Sequence, residues 1–432
     1  MLHLAYLVSH PIQYQAPLLR RIAREPGIDL TVLFGSDFSV RGYKDEGFGV
    51  EVAWDTPLLE GYKSEFLKSW RDTGTVSFSS PVSRGLYRRL RELRPDALWI
   101  HGYASLNALQ GILAANALGI PVLLRAESWL GDRPRSPLKL AAKSLLLRSL
   151  SRALDAVLPI GTLNAAYWQH YFPAVPQFPM PYAVDNDWFA ARAAAADPTA
   201  LRDELNLDPN RPIILFASKL QPRKHADHLL AAFRSLINPG APGLDSETWV
   251  RVSGDIHQLP YLVLVGDGEE RAHLERQAAD LGITDHVRFA GFRNQSELPA
   301  FFRLATVFVL PSRHEPWGLI VNEAMASGCP VIVSSDVGCH PDLIPANTAL
   351  GGPFIARTLS DERGTTTALP GLVYPVGDIP ALTAALRRVL ATPETAAQMS
   401  AAARARISTW SFEQDVAGLR AALADTTGKL RT

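Results

Sequence analysis

The sequence predicts an α/β protein built from two doubly wound domains that face each other across a cleft. Short apolar segments with the composition of buried strands alternate with segments of helical periodicity along most of the chain. The strand segments are apolar throughout, which is typical of parallel sheets covered by helices on both faces. At 432 residues, the chain also exceeds the usual size of a single hydrophobic core. In this architecture, ligands bind at the carboxyl ends of the strands.

The first domain is predicted to span residues 1–190. Strands are expected at 2–8, 30–34, 97–100, 122–125 and 156–160, and helices at 16–25 and 86–93. Residues 35–80 have no steady period but contain several aromatic side chains. We therefore expect a long irregular excursion from the sheet, a kind of segment that often carries a binding function.

The second domain is predicted to span residues 191–395, after a proline-rich linker at 179–212. Its strands are expected at 213–217, 261–265, 287–289, 307–310 and 331–334. Two segments rich in Gly, Pro, Ser and Thr, 238–258 and 348–371, are predicted to be surface insertions. Helical patterns at 379–391 and from 393 onward complete the sequence.

Charge and cysteine usage exclude several classes of protein. The 43 Lys and Arg residues balance the 43 Asp and Glu residues, so no overall field attracts nucleic acid or an anionic membrane. Cys329 and Cys339 lack the spacing of a zinc site or of an extracellular disulfide framework. No apolar run reaches about 18 residues and no signal-peptide pattern follows Met1, which favours a cytoplasmic location.

The most informative segment is 307–330, which reads as a strand, a turn and a helix. Glu315 lies in the turn, and Glu323 lies inside the helix. A carboxylate accepts two hydrogen bonds from a vicinal diol, and a helix amino terminus favours phosphate. A nucleotide-sugar carries hydroxyl groups on both sides of a diphosphate and would suit this pair. The spacing alone leaves open the alternative of two solvated carboxylates on an ordinary helix.

Residues 312–332 resemble the E-x7-E segment of the family 4 retaining glycosyltransferases, S-R-x-E-x-x-G-L-x-x-x-E-A-M-A-x-G-x-P-V-I. The resemblance implies the GT-B fold, with two Rossmann-like domains, and a nucleotide-diphosphate sugar as donor. It implies that Gly318 and Leu319 join Glu315 and Glu323 in the donor site. It also implies that the end of the chain, 396–432, includes a helix that crosses back to the first domain, starting with W-S-F-E-Q-D-V-A at Trp410.

Two lysines follow the first strand of the second domain. Lys219 and Lys224 could hold a diphosphate while negative charge develops on the leaving oxygen. The pattern in the family is G-R-L-x-x-x-K-G, so Lys219 replaces an arginine and His225 stands where a glycine is expected. The alternative is that both lysines are ordinary surface residues.

Two glycine-containing segments resemble the parts of the family's donor site that contact the nucleotide. Gly266 lies in L-V-G-D-G, a turn that carries little information by itself, and Phe292 lies in F-A-G-F-R, where backbone groups would contact the base. Past the central helix, Cys339 and Asp342 depart from the family's double glycine followed by Glu. These departures leave the identity of the sugar open.

On the amino-terminal side, His101 ends one predicted strand and Glu127 follows the next. Many relatives have a histidine where Glu127 stands, so we assign catalytic roles to Glu127 and His101 together with Glu315 and Lys224. Arg125 would keep Glu127 ionised as a member of the acceptor side. The alternatives are a buried structural histidine and a structural ion pair between Arg125 and Glu127.

The first loop offers further groups to an acceptor. His10, Gln13 and Tyr14 follow the first strand and could line an acceptor pocket. The loop lacks the Gly-Gly turn of many relatives. No G-x-G-x-x-G motif follows the strand, so a dehydrogenase is not supported.

Residues 136–158 place four basic residues beside a series of leucines: Lys139, Lys143, Arg148 and Arg152. One interpretation is a helix on an anionic membrane surface, where a lipid-linked acceptor would be found. The sequence favours the other interpretation, in which the leucines pack on the sheet and the basic residues point into water.

These observations together predict a retaining glycosyltransferase that moves a sugar to a hydroxyl-bearing acceptor, which could be a saccharide, a lipid-linked saccharide or a small molecule. No cofactor or metal ion is expected, since no D-x-D cluster occupies a suitable loop. Two other classes stay open: a nucleotide-sugar hydrolase or epimerase of the same fold, and a non-catalytic sugar-nucleotide-binding protein. The sequence specifies neither the donor base nor the oligomeric state.

Overall fold

The computed structural model describes residues 1–41, 43–44, 51–52, 54–131, 136–238, 259–345, 359–360 and 366–429. The chain forms two compact units. The first unit comprises Met1–Tyr43, Glu51–Asp185 and Trp410–Thr432, and the second comprises Lys44–Val50 and Asn186–Thr409. The sequence placed the boundaries at 190 and 395, whereas the units divide after 185 and after 409.

Up to residue 185 the strands are β1 (Leu2–Val8), β2 (Ile28–Phe34), β3 (Tyr43–Lys44), β4 (Glu51–Val52), β5 (Lys63–Phe66), β6 (Ser69–Arg71), β7 (Val82–Ser83), β8 (Ala97–His101), β9 (Val122–Arg125) and β10 (Ala156–Val157). The helices are α1 (Ala16–Ala23), α2 (Leu86–Leu93), α3 (Leu106–Ala117), α4 (Pro137–Ser151) and α5 (Thr162–Tyr171).

The first unit contains a parallel six-stranded sheet in the order β10-β9-β8-β1-β2-β5. Apolar clusters cover both of its faces, as the uninterrupted apolar strands predicted. The edge strand β5 corrects the prediction for the segment 35–80, which was expected to be irregular. Its sequence, Lys-Ser-Glu-Phe, lacks an apolar run because an edge strand is only partly covered.

The second unit contains strands β11 (Ile213–Ala217), β12 (Tyr261–Val265), β13 (Val287–Gly291), β14 (Val307–Leu310), β15 (Val331–Ser334), β16 (Leu359–Ser360), β17 (Thr366–Thr367) and β18 (Gly371–Tyr374). Its helices are α6 (Asn186–Ala195), α7 (Pro198–Glu204), α8 (Ala226–Ile237), α9 (Arg271–Asp280), α10 (Leu298–Leu304), α11 (Leu319–Ala326), α12 (His340–Leu343), α13 (Ile379–Leu390) and α14 (Pro393–Ile407). Single 3₁₀ turns occur at Pro222–Lys224 and Thr284–His286.

The sheet of the second unit is also parallel and six-stranded, in the order β13-β12-β11-β14-β15-β18. The predicted α/β class with two doubly wound sheets is therefore confirmed. The sequence missed β18, which follows the second predicted insertion. The insertions themselves fall largely outside the described residues, since 239–258, 346–358 and 361–365 are not described. Among the described helices, none has both the length and the apolarity needed to cross a membrane.

A helix from the end of the sequence, α15 (Phe412–Thr427), completes the first unit. Its apolar face joins the core beneath β1 and β2. At Gly418 the helix touches the backbone of Pro179 so closely that a Cβ atom would lie 1.8 Å from the Pro179 carbonyl oxygen. The preceding helix α14 belongs to the second unit, and the chain returns to the first unit at Trp410.

A buried ion pair fastens α15 to the sheet. The Nη2 atom of Arg125, at the end of β9, lies 2.7 Å from Oδ1 of Asp415, and both side chains are at most 2% exposed. The same nitrogen donates to the carbonyl oxygens of Met180 and Pro181, at 2.8 and 3.0 Å. Burial raises the pKa of Asp415 to about 7, against the opposing effect of Arg125.

We expect Asp415→Asn to destabilise the first unit by about 3 to 5 kcal/mol at pH 8, because it leaves the Arg125 guanidinium buried without a counter-ion. Differential scanning calorimetry would measure the effect. The double variant Arg125→Met, Asp415→Leu is the matched control, and it should recover most of the loss because it removes both charges. A loss below about 1 kcal/mol in Asp415→Asn would contradict this role for the pair.

Candidate active site

The loop between β14 and α11 holds Glu315 in a fixed position. Its backbone N–H donates to the carbonyl oxygen of Asp336 at 3.1 Å, and its own carbonyl oxygen accepts from the N–H of Gly338 at 2.9 Å. A Cβ atom at Gly338 would lie 2.0 Å from the carbonyl oxygen of Pro316, so only glycine fits there. The two loops that follow β14 and β15 are therefore locked together around Glu315.

The carboxylate of Glu315 is paired with two cations from the loop after β11. Oε2 of Glu315 accepts from Nζ of Lys224 and, at 3.2 Å, from Nη1 of Arg223. Burial acts to raise the pKa of Glu315, but Lys224 and Arg223 outweigh it, so the pKa is lowered and the carboxylate stays ionised. Two residues that the sequence predicted from separate segments, Lys224 and Glu315, are thus in direct contact.

Lys224 is itself buried, with 6% of its surface exposed. Burial lowers its pKa, while Glu315 acts in the opposite direction. The nearby charge of Lys219 also lowers the pKa of Lys224, so the two predicted phosphate-binding lysines share one region. Any anion that approached would relieve this repulsion.

Glu323 lies in the second turn of α11 and is 7% exposed. Burial raises its pKa to about 7, although Nε2 of Gln295 donates to Oε1 at 3.1 Å. Gly318 caps this helix with a left-handed φ of 90°, and Leu319 is its first residue. A buried carboxylate with so little compensation is typical of a binding site. Sequence analysis missed Gln295, which lies outside the motifs quoted above.

The loops after β11 and β12 also interlock. Gly266 has a φ of 127°, and a Cβ atom there would lie 1.9 Å from the carbonyl oxygen of Ser218. The Leu220 N–H donates to the carbonyl oxygen of Asp267 at 2.9 Å. This close approach explains the glycine at position 266, and it places the Lys219 loop beside the glycine turn. Phe292 follows β13, the neighbouring strand, and is half-buried.

In the first unit, a second group of polar side chains collects at the carboxyl ends of β8 and β9. We call Tyr14, His101, Glu127 and Tyr182 the acceptor-side cluster. Oε1 of Glu127 accepts from the hydroxyl groups of Tyr182, at 2.5 Å, and Tyr14, at 3.1 Å. Nε2 of His101 lies 3.9 Å from the same oxygen and 3.4 Å from the Tyr182 hydroxyl.

The protonation states within this cluster are set by burial. Burial, together with Arg125 and His10, lowers the pKa of His101 to about 3, so the imidazole is neutral at pH 7. Burial and the charge of Glu127 hold the pKa of Tyr14 and Tyr182 well above the usual value. Both tyrosines therefore remain hydrogen-bond donors to Glu127.

A cavity of about 550 Å³ opens beside the cluster, at the carboxyl ends of β1, β8 and β9. Its polar lining includes His101, Tyr103, Asn107, Glu127, Ser128 and Lys143. The Tyr103 hydroxyl lies 2.9 Å from Oγ of Ser128 and 2.6 Å from the Tyr167 hydroxyl, which fixes its direction. The cavity has room for a sugar-sized ligand among several groups that can donate or accept hydrogen bonds.

His10 and Gln13 were also predicted for the acceptor side, but neither makes a hydrogen bond or ring contact with the acceptor-side cluster in the part of the chain that the structure describes. Nδ1 of His10 lies 2.9 Å from Oγ of Ser9, and its ring stacks on Phe38 at 4.5 Å. Burial lowers the pKa of His10 to about 4. The amide oxygen of Gln13 is buried and has no hydrogen-bond partner among the described residues.

The prediction for Arg125 requires correction. Its ion pair is with Asp415, and its guanidinium carbon lies 4.6 Å from the centroid of the Tyr182 ring. Arg125 therefore acts behind the cluster, where it supports Tyr182, and not as a contact for an acceptor. The sequence also missed Tyr182, because its segment was interpreted as a linker.

The helix α4 contradicts the interpretation that the sequence favoured for its leucines. Leu138, Leu145 and Leu146 are 82%, 71% and 64% exposed, whereas Leu147 is buried. Lys143 of the same helix lines the cavity, with Nζ 4.7 Å from the centroid of the Tyr167 ring. An exposed set of leucines thus lies on a helix that reaches the cavity.

Comparisons with known proteins show which proteins this chain resembles. Residues 197–406 match the family model described as glycosyl transferases group 1. The D-inositol 3-phosphate glycosyltransferase of Frankia alni is 29% identical over 246 residues, which cover 55% of this chain and 57% of that protein. The GDP-mannose-dependent alpha-(1-6)-phosphatidylinositol monomannoside mannosyltransferase of Mycobacterium tuberculosis is 32% identical over 210 residues, 47% of this chain and 49% of that protein. The chain spans about half the length of the curated relatives it matches.

Solved structures match over nearly the whole chain. Sucrose-phosphate synthase from Thermosynechococcus elongatus has a TM-score of 0.65 and 19% identity, covering 98% of this chain and 97% of that chain. Anabaena HepE, solved with UDP and glucose, has a TM-score of 0.65 and 16% identity, covering 98% and 100%. At such low identity these matches establish the fold. The chain therefore has the GT-B fold, and its residues 197–406 match the glycosyl transferases group 1 family model.

Proposed function

We propose that the protein is a retaining, metal-independent glycosyltransferase that moves a sugar from a nucleotide-diphosphate sugar to a hydroxyl-bearing acceptor. The observation that carries this proposal is the ion pair between Glu315 and Lys224, in a region that also contains the buried Glu323 and matches the glycosyl transferases group 1 family model. The relatives named above are glycosyltransferases, and HepE binds UDP, which supports a nucleotide-sugar donor.

On the donor side, the arrangement suits a molecule with both hydroxyl and phosphate groups. Glu323 accepts a hydrogen bond from the amide of Gln295, and hydroxyl groups of a ribose would supply further hydrogen bonds to its buried carboxylate. Lys224 and Arg223 would transfer their hydrogen bonds from Glu315 to the diphosphate as its bond to the sugar breaks. Glu315, freed of these partners, would then face the positive charge that develops on the sugar carbon.

The resemblance to retaining enzymes suggests how the acceptor proton leaves. In a front-face displacement, the acceptor oxygen bonds to the sugar carbon while the leaving phosphate oxygen takes the acceptor proton. A pKa of about 3 makes His101 a poor base at pH 7, so it would contribute a hydrogen bond instead. Glu127, held by two tyrosine hydroxyls, would supply a fixed negative charge on the acceptor side.

The acceptor would be presented at a membrane surface. The exposed leucines of α4 could enter the interface of a bilayer, and Lys139, Arg148 and Arg152 of the same segment would meet anionic headgroups. Because Lys143 of this helix lines the cavity, a lipid-linked acceptor would reach the acceptor-side cluster from there. This makes the protein a peripheral enzyme of the inner membrane face in our proposal.

The donor site is tested by nucleotide binding. Lys224→Ala and Glu323→Gln should each weaken binding of the preferred nucleotide diphosphate at least tenfold at pH 8, since each loses a charged hydrogen bond of about 1.5 to 3 kcal/mol. Calorimetric titration with UDP, GDP and ADP would measure the affinities. Arg276→Ala, on the exposed surface of α9, is the matched control and should bind as the parent does. Parental affinity in both site variants would refute the assignment.

Glu323→Gln should weaken nucleotide binding and also raise stability at pH 8. This combination is not expected of a residue with a purely structural role. The pKa of Glu323 is raised from 4.5 to about 7, so its contribution to stability is fully present below pH 4.5 and is lost as pH rises through 7. Glutamine has no charge to bury, so the variant should be more stable than the parent at pH 8 by up to about 3 kcal/mol. Greater stability with weaker nucleotide binding is the expected pair of results.

Catalytic roles are tested by turnover. Glu127→Gln and Glu315→Gln keep the side-chain shape but remove the charge, and each should lose about 10²-fold or more in turnover. Glu127→Gln should bind nucleotide diphosphate as the parent does, and Glu315→Gln at least as well, because the carboxylate that competes for Lys224 is gone. The assay follows release of nucleotide diphosphate from the best-binding donor across a panel of acceptors, and a chelator should leave the parental rate unchanged.

Other outcomes of the same assay would overturn the proposal. Parental turnover in Glu127→Gln combined with a lower melting temperature would make Glu127 a structural residue. Equal product formation with and without acceptor would indicate a hydrolase or epimerase. Nucleotide-sugar binding without turnover on any acceptor would indicate a binding protein.

Membrane contact is tested with vesicles. The double variant Leu145→Ser, Leu146→Ser should bind vesicles of phosphatidylglycerol and phosphatidylcholine at least about tenfold more weakly, since each buried leucine contributes about 1.5 to 3 kcal/mol. Leu113→Ser is the matched control, because Leu113 is 69% exposed on a different helix, α3. Equal sedimentation of parent and double variant with these vesicles would exclude α4 as the contact.

A further inference from the structure

Three potential metal ligands meet at the start of α8. His225 directly precedes this helix, and Asp227 and His228 lie in its first turn. Nδ1 of His225 is 3.6 Å from Oδ1 of Asp227, and Nε2 of His228 is 3.8 Å from Oδ2. One ligand atom from each residue can be chosen so that all three lie within 4.8 Å of one another.

These separations are longer than hydrogen bonds but close to those between ligand atoms around a metal ion. Tetrahedral zinc holds nitrogen and oxygen ligands at about 2.0 to 2.2 Å, which places the ligand atoms roughly 3.3 Å apart. The two imidazole rings are stacked, with centroids 4.2 Å apart and 20° between their planes, and one nitrogen of each ring lies near the Asp227 carboxylate. Nδ1 of His225 is buried and has no hydrogen-bond partner among the described residues.

The backbone of His225 points to a role for its side chain. Its φ of 49° lies in the left-handed region, where a residue with a Cβ atom is strained. The glycine that the resembling family has at this position avoids the strain. A strained conformation that is kept for an imidazole is a reason to look for what the imidazole binds.

We propose that His225, Asp227 and His228 form a binding site for one divalent transition-metal ion. Nδ1 of His225, a carboxylate oxygen of Asp227 and Nε2 of His228 would be its protein ligands. Two imidazoles and one carboxylate suit Zn²⁺, Co²⁺ or Ni²⁺, whereas Mg²⁺ prefers oxygen ligands. Three protein ligands leave a fourth position for water or another small ligand.

The site would act on the turn that carries Lys224. The N–H of His225 donates to the carbonyl oxygen of Pro222 at 3.2 Å and so closes the 3₁₀ turn Pro222–Lys224. An ion bound to the imidazole would hold His225 in its left-handed conformation and thereby stiffen this turn. The ion stabilises this turn in our proposal, and the transfer reaction itself does not need it.

Direct metal binding tests the site without any assay of activity. Calorimetric titration of the metal-free parent with Zn²⁺ in a non-chelating buffer should show one ion per chain, and Mg²⁺ should show none at this site. His228→Ala and His225→Gly each lose a ligand and should bind Zn²⁺ at least about 100-fold more weakly, beyond the 10- to 100-fold effect usual for outer-shell changes. His170→Ala removes an exposed histidine of α5 and should bind as the parent does.

His225→Gly guards against loss of binding through misfolding, because glycine adopts the left-handed conformation without strain. Its melting temperature without metal should equal or exceed that of the parent, and Zn²⁺ should raise the melting temperature of the parent alone. Parental zinc affinity in folded His225→Gly or His228→Ala would overturn the proposal. So would a parent that binds no zinc up to about 1 mM, an affinity of roughly 4 kcal/mol.

Discussion

The first unit depends on one buried guanidinium. Arg125 donates to Asp415 of α15 and to the backbone of Met180 and Pro181, and it lies against the ring of Tyr182. These contacts join the end of a central strand, the segment that leaves the sheet and a helix from the far end of the sequence. Apolar residues of similar volume could fill this space, but they would not fix the direction of the Tyr182 hydroxyl. The geometry around Glu127 therefore depends on a charge that is itself buried.

The ion pair between Glu315 and Lys224 in the second unit is more exposed than the pair between Arg125 and Asp415. Glu315 and Lys224 are 13% and 8% exposed at their side chains, and Arg223, which shares the carboxylate, is 44% exposed. The pair between Arg125 and Asp415, by contrast, is almost fully enclosed, with side chains at most 2% exposed. The two ion pairs thus differ in how much of their charge contacts solvent.

Sequence patterns predicted the features that depend on residues close together in the chain. Apolar runs identified the central strands, and the segment around Glu315 and Glu323 suggested the donor side that we propose. The partner of Arg125 could not be found in this way, since Asp415 lies 290 residues further along the chain. The leucines of α4 show a different limit, because they occur on several sides of the helix and periodicity does not say which side is covered. The cluster at His225 was missed because the resemblance directed attention to the glycine that it replaces.

The return of α15 to the first unit has a consequence for biosynthesis. A ribosome makes residues 1–185 first, yet five apolar side chains of their core, Phe412, Val416, Leu419, Ala422 and Leu423, come from the last helix. Domains usually fold in the order in which they are made. Here the second unit can complete its fold first, whereas the first unit has an uncovered apolar face until α15 is made and Asp415 pairs with Arg125. Nascent chains that stall before residue 410 would expose that face to chaperones, so the part of the protein made first is the last to be protected.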